Sequence, residues 1–291
     1  MSSGSRPAVS VIVPFLGDAA AAAATLDRLA ALEARPGDEL IVADNTAAGE
    51  MPERDGVTVV RAGERRSSYF ARNAGAATAS APWLLFLDAD CRPTADLIER
   101  LFDPEPEPRC AIVAGEVVGD PSQSALTARW ARSRRQLIAS HHLDAGPAPA
   151  GVTANLLVRR DAFEAVGGFD AGVRSTADLD VCWRIQERDG WTLEYRPGAV
   201  VLHRDPERLH QVVRQAARYG AGRRWLARNH GDALAPPPLG VPLARALGGA
   251  LAWTLALRFE RAAFKLLDGA SAAAMWWGYE RRSNDAEASD G

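Results

Sequence analysis

Trp83-Leu84-Leu85-Phe86-Leu87 is an unbroken apolar run that passes directly into Asp88-Ala89-Asp90. A strand without polar alternation offers no face to water, so it must be covered on both sides. That requirement rules out a surface hairpin and asks for a central strand between two layers of helices. The acidic end then raises a chemical question. In an extended segment, residues two apart point the same way. Two carboxylates so placed repel unless a cation or a proton compensates.

The segments around this run alternate in type. Ser10–Phe15 (SVIVPF) reads as a strand feeding a loop, and Gly17-Asp18 opens an alanine-rich helix with Leu26, Leu29 and Leu32 on one side and a Pro36-Gly37 stop. Asp38–Asn45 and Gly56–Gly63 read as strands, and Ser67–Pro82 as a helix with Phe70, Ala74 and Ala77 at helical spacing. Such β/α alternation predicts an α/β fold with a mostly parallel central sheet flanked by helices. Ligands of such sheets sit at the carboxyl ends of the strands. Pro93–Phe102 is expected to be a helix with proline in its first turn, Asp103–Arg109 a surface loop, and Cys110–Gly119 a fifth strand. Further on come a basic helix near 124–140, a Pro/Gly-rich loop over 141–151 read as mobile, and a strand–helix–Gly-Gly stretch over 153–170. An amphipathic helix follows over 179–190, then a strand, a Pro197-Gly198 turn, and a strand ending in His203.

If the strands are parallel, Pro14 to Asp18, Asp44-Asn45 and Asp88-Ala89-Asp90 gather along one edge. Oxygen ligands of this kind suit Mg²⁺ or Mn²⁺, which leave coordination positions for substrate phosphate. A helix cap supplied by Asp90 or Thr94 is the simpler reading of the same residues. Asp178 and Asp180 repeat the spacing at the opening of a helix, where their side chains diverge and acids are favourable without any ligand. The chain carries no G-x-S-x-G elbow, P-loop or G-x-G-x-x-G, which counts against hydrolase, NTPase and dinucleotide-dependent readings.

A formal net charge of -3 gives no global bias toward nucleic acid, although 129–135 and 214–228 are locally basic and could meet phosphate or an anionic surface. Three cysteines without paired spacing point to a reducing compartment, and the first ten residues contain no signal-peptide apolar run. The expected localisation is cytoplasmic, with peripheral contact on the inner face of the cell membrane left open by the C-terminal third. Its most apolar stretch, Ala246–Phe259, has only 14 residues, with Arg245 ahead of it and Arg258 near its end. Spanning a bilayer takes about 20. Trp253, Trp276 and Trp277 beside arginines suit a lipid boundary. Helices packed on the main domain, or buried in a homodimer, are the alternative.

The order of the segments SVIVPF, ELIVADNTAAG, YFARNAGAATASAPWLLFLDADC, AGEVVG, TANLLVRRDAFEAVGGFD, TADLDVCWR and RPGAVVLH resembles the family 2 glycosyltransferases, inverting enzymes of GT-A fold. The resemblance runs from Val9 to His203, roughly two thirds of the chain. It implies a disordered N-terminus (1–8), a GT-A domain (9–230) with a nucleotide-sugar half (9–120) and an acceptor half (121–230), a C-terminal helical extension (231–280) and a disordered tail (281–291).

The resemblance also implies roles. Asp90 and His203 would hold a divalent metal, Mg²⁺ or Mn²⁺, that supports the donor's leaving diphosphate. Asp88 would face the ribose or a metal-bound water, and Asp44 the nucleobase. Pro14, Arg72, Asn73 and Ala89 would complete the donor site. Asp178 would be the general base that deprotonates an acceptor hydroxyl, with Asp180 a helix-capping or structural acid. The implied partners are a nucleoside-diphosphate sugar and an unidentified hydroxyl acceptor, lipid-linked or glycan. Two departures stand out: Ala177 where the family usually has Glu, and Asn45-Thr46-Ala47 in place of Asp-Gly-Ser. With Asp178 kept, the first points to altered acceptor contacts rather than a dead enzyme, and the second to a changed donor base or loop geometry. A non-catalytic nucleotide-sugar-binding protein is the alternative function. A nucleotidyltransferase is less favoured, because VPFLGDAAAAAA has no basic residue before Arg28.

Overall fold

The computed structural model describes residues 6–134, 146–231, 234–281 and 283–285. The expectations for the first five residues, for the end of the 124–140 helix, for the start of the 141–151 loop and for the last six residues of the tail fall outside these. The chain forms two compact units: Met1–Val118, Leu137–Gly172 and Ala177–His203 make the first; Gly119–Gln136, Val173–Thr176 and Arg204–Gly291 the second.

The first unit is built on one eight-stranded sheet. Its strands are β1 (Val9–Phe15), β2 (Glu39–Asp44), β3 (Val57–Arg61), β4 (Trp83–Leu87), β5 (Arg92–Pro93), β6 (Cys110–Gly119), β7 (Asn155–Arg159) and β8 (Thr192–His203). Their spatial order is β3-β2-β1-β4-β7-β6-β8-β5. β1 pairs in parallel with β2 and β4, and β2 with β3. β7 joins β4 and β6 antiparallel, and β5 joins β8 antiparallel. The parallel half thus carries the β/α alternation read from sequence, and the second half is joined by antiparallel pairing, with β7 running against both β4 and β6. All five residues of β4 are buried, as their unbroken apolarity demands.

Helices α1 (Ala19–Ala30) and α2 (Ser68–Thr78) cover the parallel strands. Asp18 caps α1 by accepting the Ala21 N–H at 2.9 Å, and the Ser67 hydroxyl caps α2 by accepting the Phe70 N–H at 3.3 Å. Gly75 lets α2 lie directly on the sheet: a Cβ there would stand 2.7 Å from Ile12 Cγ2. The short helices α3 (Leu97–Leu101) and α5 (Arg160–Ala165) and the longer α6 (Ala177–Asp189) complete the unit.

Two local expectations are corrected. Pro93 does not open a helix; Arg92 and Pro93 form β5 against Leu202 and Val201, and α3 begins only at Leu97. Pro197-Gly198 does not turn the chain; β8 runs unbroken through it. β5 pairs only with Val201 and Leu202, so on that side Pro197 has no ladder hydrogen bond to lose.

The second unit is helical: α4 (Leu126–Arg134), α7 (Leu209–Asn229), α8 (Gly240–Leu255) and α9 (Phe259–Arg281). Trp130, Ala131, Val212 and Leu267 form its apolar centre. α7 and α9 approach closely at two glycines, where a Cβ on Gly220 would meet the Met275 carbonyl oxygen at 1.9 Å and one on Gly278 the Ala217 carbonyl oxygen at 1.9 Å. Among the described residues no helix is long and apolar enough to cross a membrane.

Candidate active site

Parallel pairing brings the carboxyl ends of β1, β2 and β4 to one edge, with Phe15 opposite Asp44 in register. Pro14 is half-buried near the end of β1, opposite Ala43. After β4 the chain turns tightly, the Cys91 N–H donating to the Asp88 carbonyl at 3.0 Å. β8 ends beside this turn, and its last residue, His203, faces both aspartates: Nε2 lies 3.7 Å from Asp90 Oδ1 and 4.0 Å from Asp88 Oδ2. One ligand atom from each of the three residues falls within 4.8 Å of the others.

Two carboxylates and an imidazole nitrogen form a donor set that suits a hard divalent cation. Neighbouring donors on an octahedral ion stand about 3 Å apart, given bonds of about 2.1 Å. The His203 gaps exceed that by up to about 1 Å, a closure that side-chain rotation supplies. Two polar atoms of these side chains and their neighbours, His203 Nδ1 and Arg72 Nε, are buried without a hydrogen-bond partner. The Asp90 carboxyl is pushed above its ordinary value by desolvation, although half its side-chain surface stays open. His203 opposes this shift and the Asp88 charge adds to it. A cation between the three residues would relieve that crowding of charge.

Arg72 donates from Nη2 to Asp88 Oδ1 and is itself buried. Asp88 is thereby oriented from α2, one strand away. The Ala89 carbonyl accepts from Arg28 Nη1 at 2.6 Å, which ties the acidic turn to α1. Asn73 makes a reciprocal pair with the Phe169 backbone: its Nδ2 donates to the carbonyl at 2.8 Å and its Oδ1 accepts the N–H at 3.0 Å.

Asp44 is fully buried and engaged on both oxygens. Oδ1 accepts from the Thr46 N–H at 3.0 Å and the Thr46 hydroxyl at 2.6 Å; Oδ2 accepts from the Met51 N–H and Arg61 Nη1, both at 3.1 Å. Burial pushes its carboxyl up, but these donors outweigh that and hold it below the usual carboxylate range. Its geometry folds the loop after β2.

Asp178 sits in the first turn of α6. Its Oδ1 lies 3.4 Å from the Tyr69 hydroxyl and accepts the Leu179 N–H at 3.2 Å, while Oδ2 accepts the Thr153 N–H at 3.3 Å. Asp180 turns elsewhere and is buried against Arg184, whose Nε and Nη2 donate to Oδ2 at 2.8 and 2.7 Å. Arg184 also donates to the carbonyls of Val166 and Gly168, so this acid is structural. Ala177 is fully buried. Tyr69, Arg28 and Thr153 are the neighbours of these acids that spacing did not single out. Tyr69 is set by an aromatic cluster, its ring 5.4 Å from Phe169, which in turn lies 4.9 Å from Phe86.

Known proteins resemble this chain in sequence and in fold. Over 196 residues it is 32% identical to the pre-mycofactocin glycosyltransferase of Mycobacterium tuberculosis, in both strain CDC 1551 / Oshkosh and strain ATCC 25618 / H37Rv. That match covers 64% of this chain and 39% of those proteins, so the chain corresponds to about two fifths of their length. The fold is that of a mannosyltransferase from Pyrobaculum calidifontis solved with GDP-Man and Mn²⁺, with a TM-score of 0.66 at 20% identity, covering 95% of this chain and 88% of that one. The sequence profile of glycosyl transferase family 2 matches residues 10–167, more than half of the chain. With a GT-A architecture and that match, the chain belongs to glycosyl transferase family 2.

Proposed function

We propose that this protein is an inverting glycosyltransferase that moves a sugar from a nucleoside-diphosphate sugar to an acceptor hydroxyl. The convergence of Asp88, Asp90 and His203 at the carboxyl edge of the parallel strands carries the reading. The Mn²⁺ and GDP-Man of the Pyrobaculum calidifontis enzyme, and the activity named for the mycobacterial relatives, support it.

Asp90 and His203, with Asp88 beside them, would hold Mg²⁺ or Mn²⁺, which when bound neutralises charge on the leaving diphosphate. Arg72 fixes the orientation of Asp88 toward the ribose side, and Arg28 holds the Ala89 carbonyl so that the acidic turn keeps its shape. Pro14 and the loop folded by Asp44 border the nucleobase, and Asn73 supports the donor site through Phe169. Asp178 accepts the proton of the acceptor hydroxyl as its oxygen attacks the anomeric carbon. The bond from that carbon to the diphosphate breaks on the opposite side, which inverts its configuration. Tyr69 and the Thr153 N–H hold the Asp178 carboxylate for this step.

The acceptor is proposed to be amphiphilic, because the helical unit presents an apolar face. Leu247, Leu251 and Leu255 of α8 are 57%, 63% and 76% exposed at successive i, i+4 positions. Trp253 is flanked by the guanidinium groups of Arg258 and Arg261, 5.9 and 4.8 Å from its ring centre. Leucines beside an arginine-framed tryptophan suit the boundary of an anionic membrane. On this reading the protein works at the cytoplasmic face, where its three free, buried thiols stay reduced.

Nucleoside-diphosphate binding with and without Mn²⁺, in the wild type and in Asp90→Ala, tests the donor site. Tight binding that needs both the ion and Asp90 is expected. Equal affinity in all four conditions would remove the metal-dependent reading.

A further inference from the structure

Helix α7 carries Gln211, Arg214, Gln215 and Arg218 at i, i+3, i+4 and i+7, along one face. That face lines a cavity of about 310 Å³ within the helical unit, which Arg174, Pro206, Ser283 and Asn284 complete. Three of the eight lining residues are arginines and none is acidic, so the only charge the lining carries is positive.

The walls are fixed rather than loose. Asn284 is buried; its carbonyl accepts the Arg174 N–H at 2.8 Å, its Oδ1 accepts the Ser175 hydroxyl at 3.1 Å, and its Nδ2 donates to the Ser175 carbonyl at 3.1 Å. Two of the carboxylates next to the lining in sequence, Glu207 and Asp285, have polar partners. Glu207 accepts from Arg204 at 3.0 Å and from Gln123 at 2.9 Å, and Asp285 accepts from the Ser283 hydroxyl. Neither Arg214 nor Arg218 takes part in an ion pair among the described residues. Like charges at i, i+4 destabilise a helix, so these two arginines work against α7 unless an anion lies between them.

Guanidinium forks match phosphate oxygens in bidentate pairs, and a cavity of this size admits a phosphate or diphosphate with the atoms next to it. We propose that this cavity is a phosphate-binding site for a phosphate monoester or diphosphate, borne by a soluble molecule or a lipid headgroup. Its lining shares no residue with the Asp88, Asp90 and His203 cluster, and the proposal does not rest on that assignment.

The test is calorimetric titration of the full chain with inorganic pyrophosphate at low salt. EDTA is present so that Asp88, Asp90 and His203 recruit nothing through a metal. Saturable binding is expected in the wild type, weakened at least tenfold in Arg214→Gln/Arg218→Gln, with an intermediate loss in Arg214→Lys/Arg218→Lys. Unchanged melting curves establish that the variants fold; if the glutamine pair does not, the lysine pair and Arg174→Gln carry the comparison. Flotation with phosphatidic acid vesicles then separates the sources. Arginine-dependent capture that pyrophosphate competes away supports a lipid headgroup, and pyrophosphate binding without such capture supports a soluble phosphate. No saturable binding in the wild type, or equal affinity in folded variants, overturns the proposal.

Discussion

The Tyr69 hydroxyl stands 3.4 Å from Oδ1 of Asp178, while Arg72, one turn further along the same helix, donates to Asp88. A single helix thus orients both acids assigned to the two ends of the reaction. The Tyr69–Asp178 contact is long for a hydroxyl donor. Asp178→Asn is expected to lower the rate of transfer by about 10²–10⁴-fold, the range for losing a general base. Tyr69→Phe should cost about tenfold or less, since it removes one donor and keeps the ring in its aromatic cluster. Steady-state transfer with saturating donor checks both. Wild-type turnover by Asp178→Asn would remove it from the mechanism.

For the metal cluster, His203→Ala should raise the Mn²⁺ concentration needed for half-maximal donor binding by about 10–100-fold, the scale for altering a metal site's surroundings or more. Asp90→Asn should abolish the metal response altogether. Both are read by calorimetry at fixed nucleotide. An unchanged Mn²⁺ requirement in His203→Ala would leave the metal to the aspartates alone.

Asp268 gives a pH-dependent test of the helical unit. Its carboxylate accepts from Arg134 Nε at 2.7 Å, Arg134 Nη2 at 2.8 Å and Trp130 Nε1 at 2.9 Å, joining α4 to α9. Burial pushes this carboxyl up, but the Arg134 and Trp130 hydrogen bonds outweigh it and hold the group below its ordinary value. A carboxyl depressed by folding adds stability above its unfolded pKa and loses it as pH falls through its folded one. Asp268→Asn should therefore cost about 1–2 kcal/mol at pH 7, lowering the melting temperature by about 2–6 °C. The gap from wild type should close as the pH is taken below about 4. A gap independent of pH would mean that packing, not charge, holds the two helices.

The exposed leucines make a prediction without a stability cost. Leu251→Ser/Leu255→Ser should leave the melting curve unchanged, because both side chains are already largely in water. Affinity for anionic vesicles should fall by well over tenfold, since each leucine that leaves the interface forfeits about 2 kcal/mol of burial. If light scattering instead shows a wild-type dimer that the variant converts to monomer, the face is an interface between copies of the chain.

The parallel core and its acidic edge were legible because both follow from local pattern: β4 has no polar alternation, and Asp88 and Asp90 share a strand's period of two. His203 was placed by resemblance, since no local rule shows a strand folding back beside an acid from the far half of the chain. Arg28 was not legible. An arginine on an alanine-rich helix looks like any solvated face, and only the tertiary fold delivers its guanidinium to the Ala89 carbonyl. Pro93 was misread because its preference for helix starts was overruled by pairing with Val201 of β8, and Pro197 because an extended strand accepts proline where β5 does not reach to need its N–H.

The Asn73–Phe169 pair carries a consequence for sequence change. Asparagine presents a donor and an acceptor at a reach that completes both backbone groups of one residue, Phe169. Aspartate, which differs from it by an oxygen for a nitrogen, would turn a lone pair toward the Phe169 carbonyl and replace an attraction with a repulsion. Glutamine, longer by a methylene, would press further against a neighbourhood where even a Cβ on Gly168 would meet Asn73 Oδ1 at 2.8 Å. Position 73 therefore works as a key cut to one pattern, in which neither the closest shape nor the closest chemistry will turn the lock.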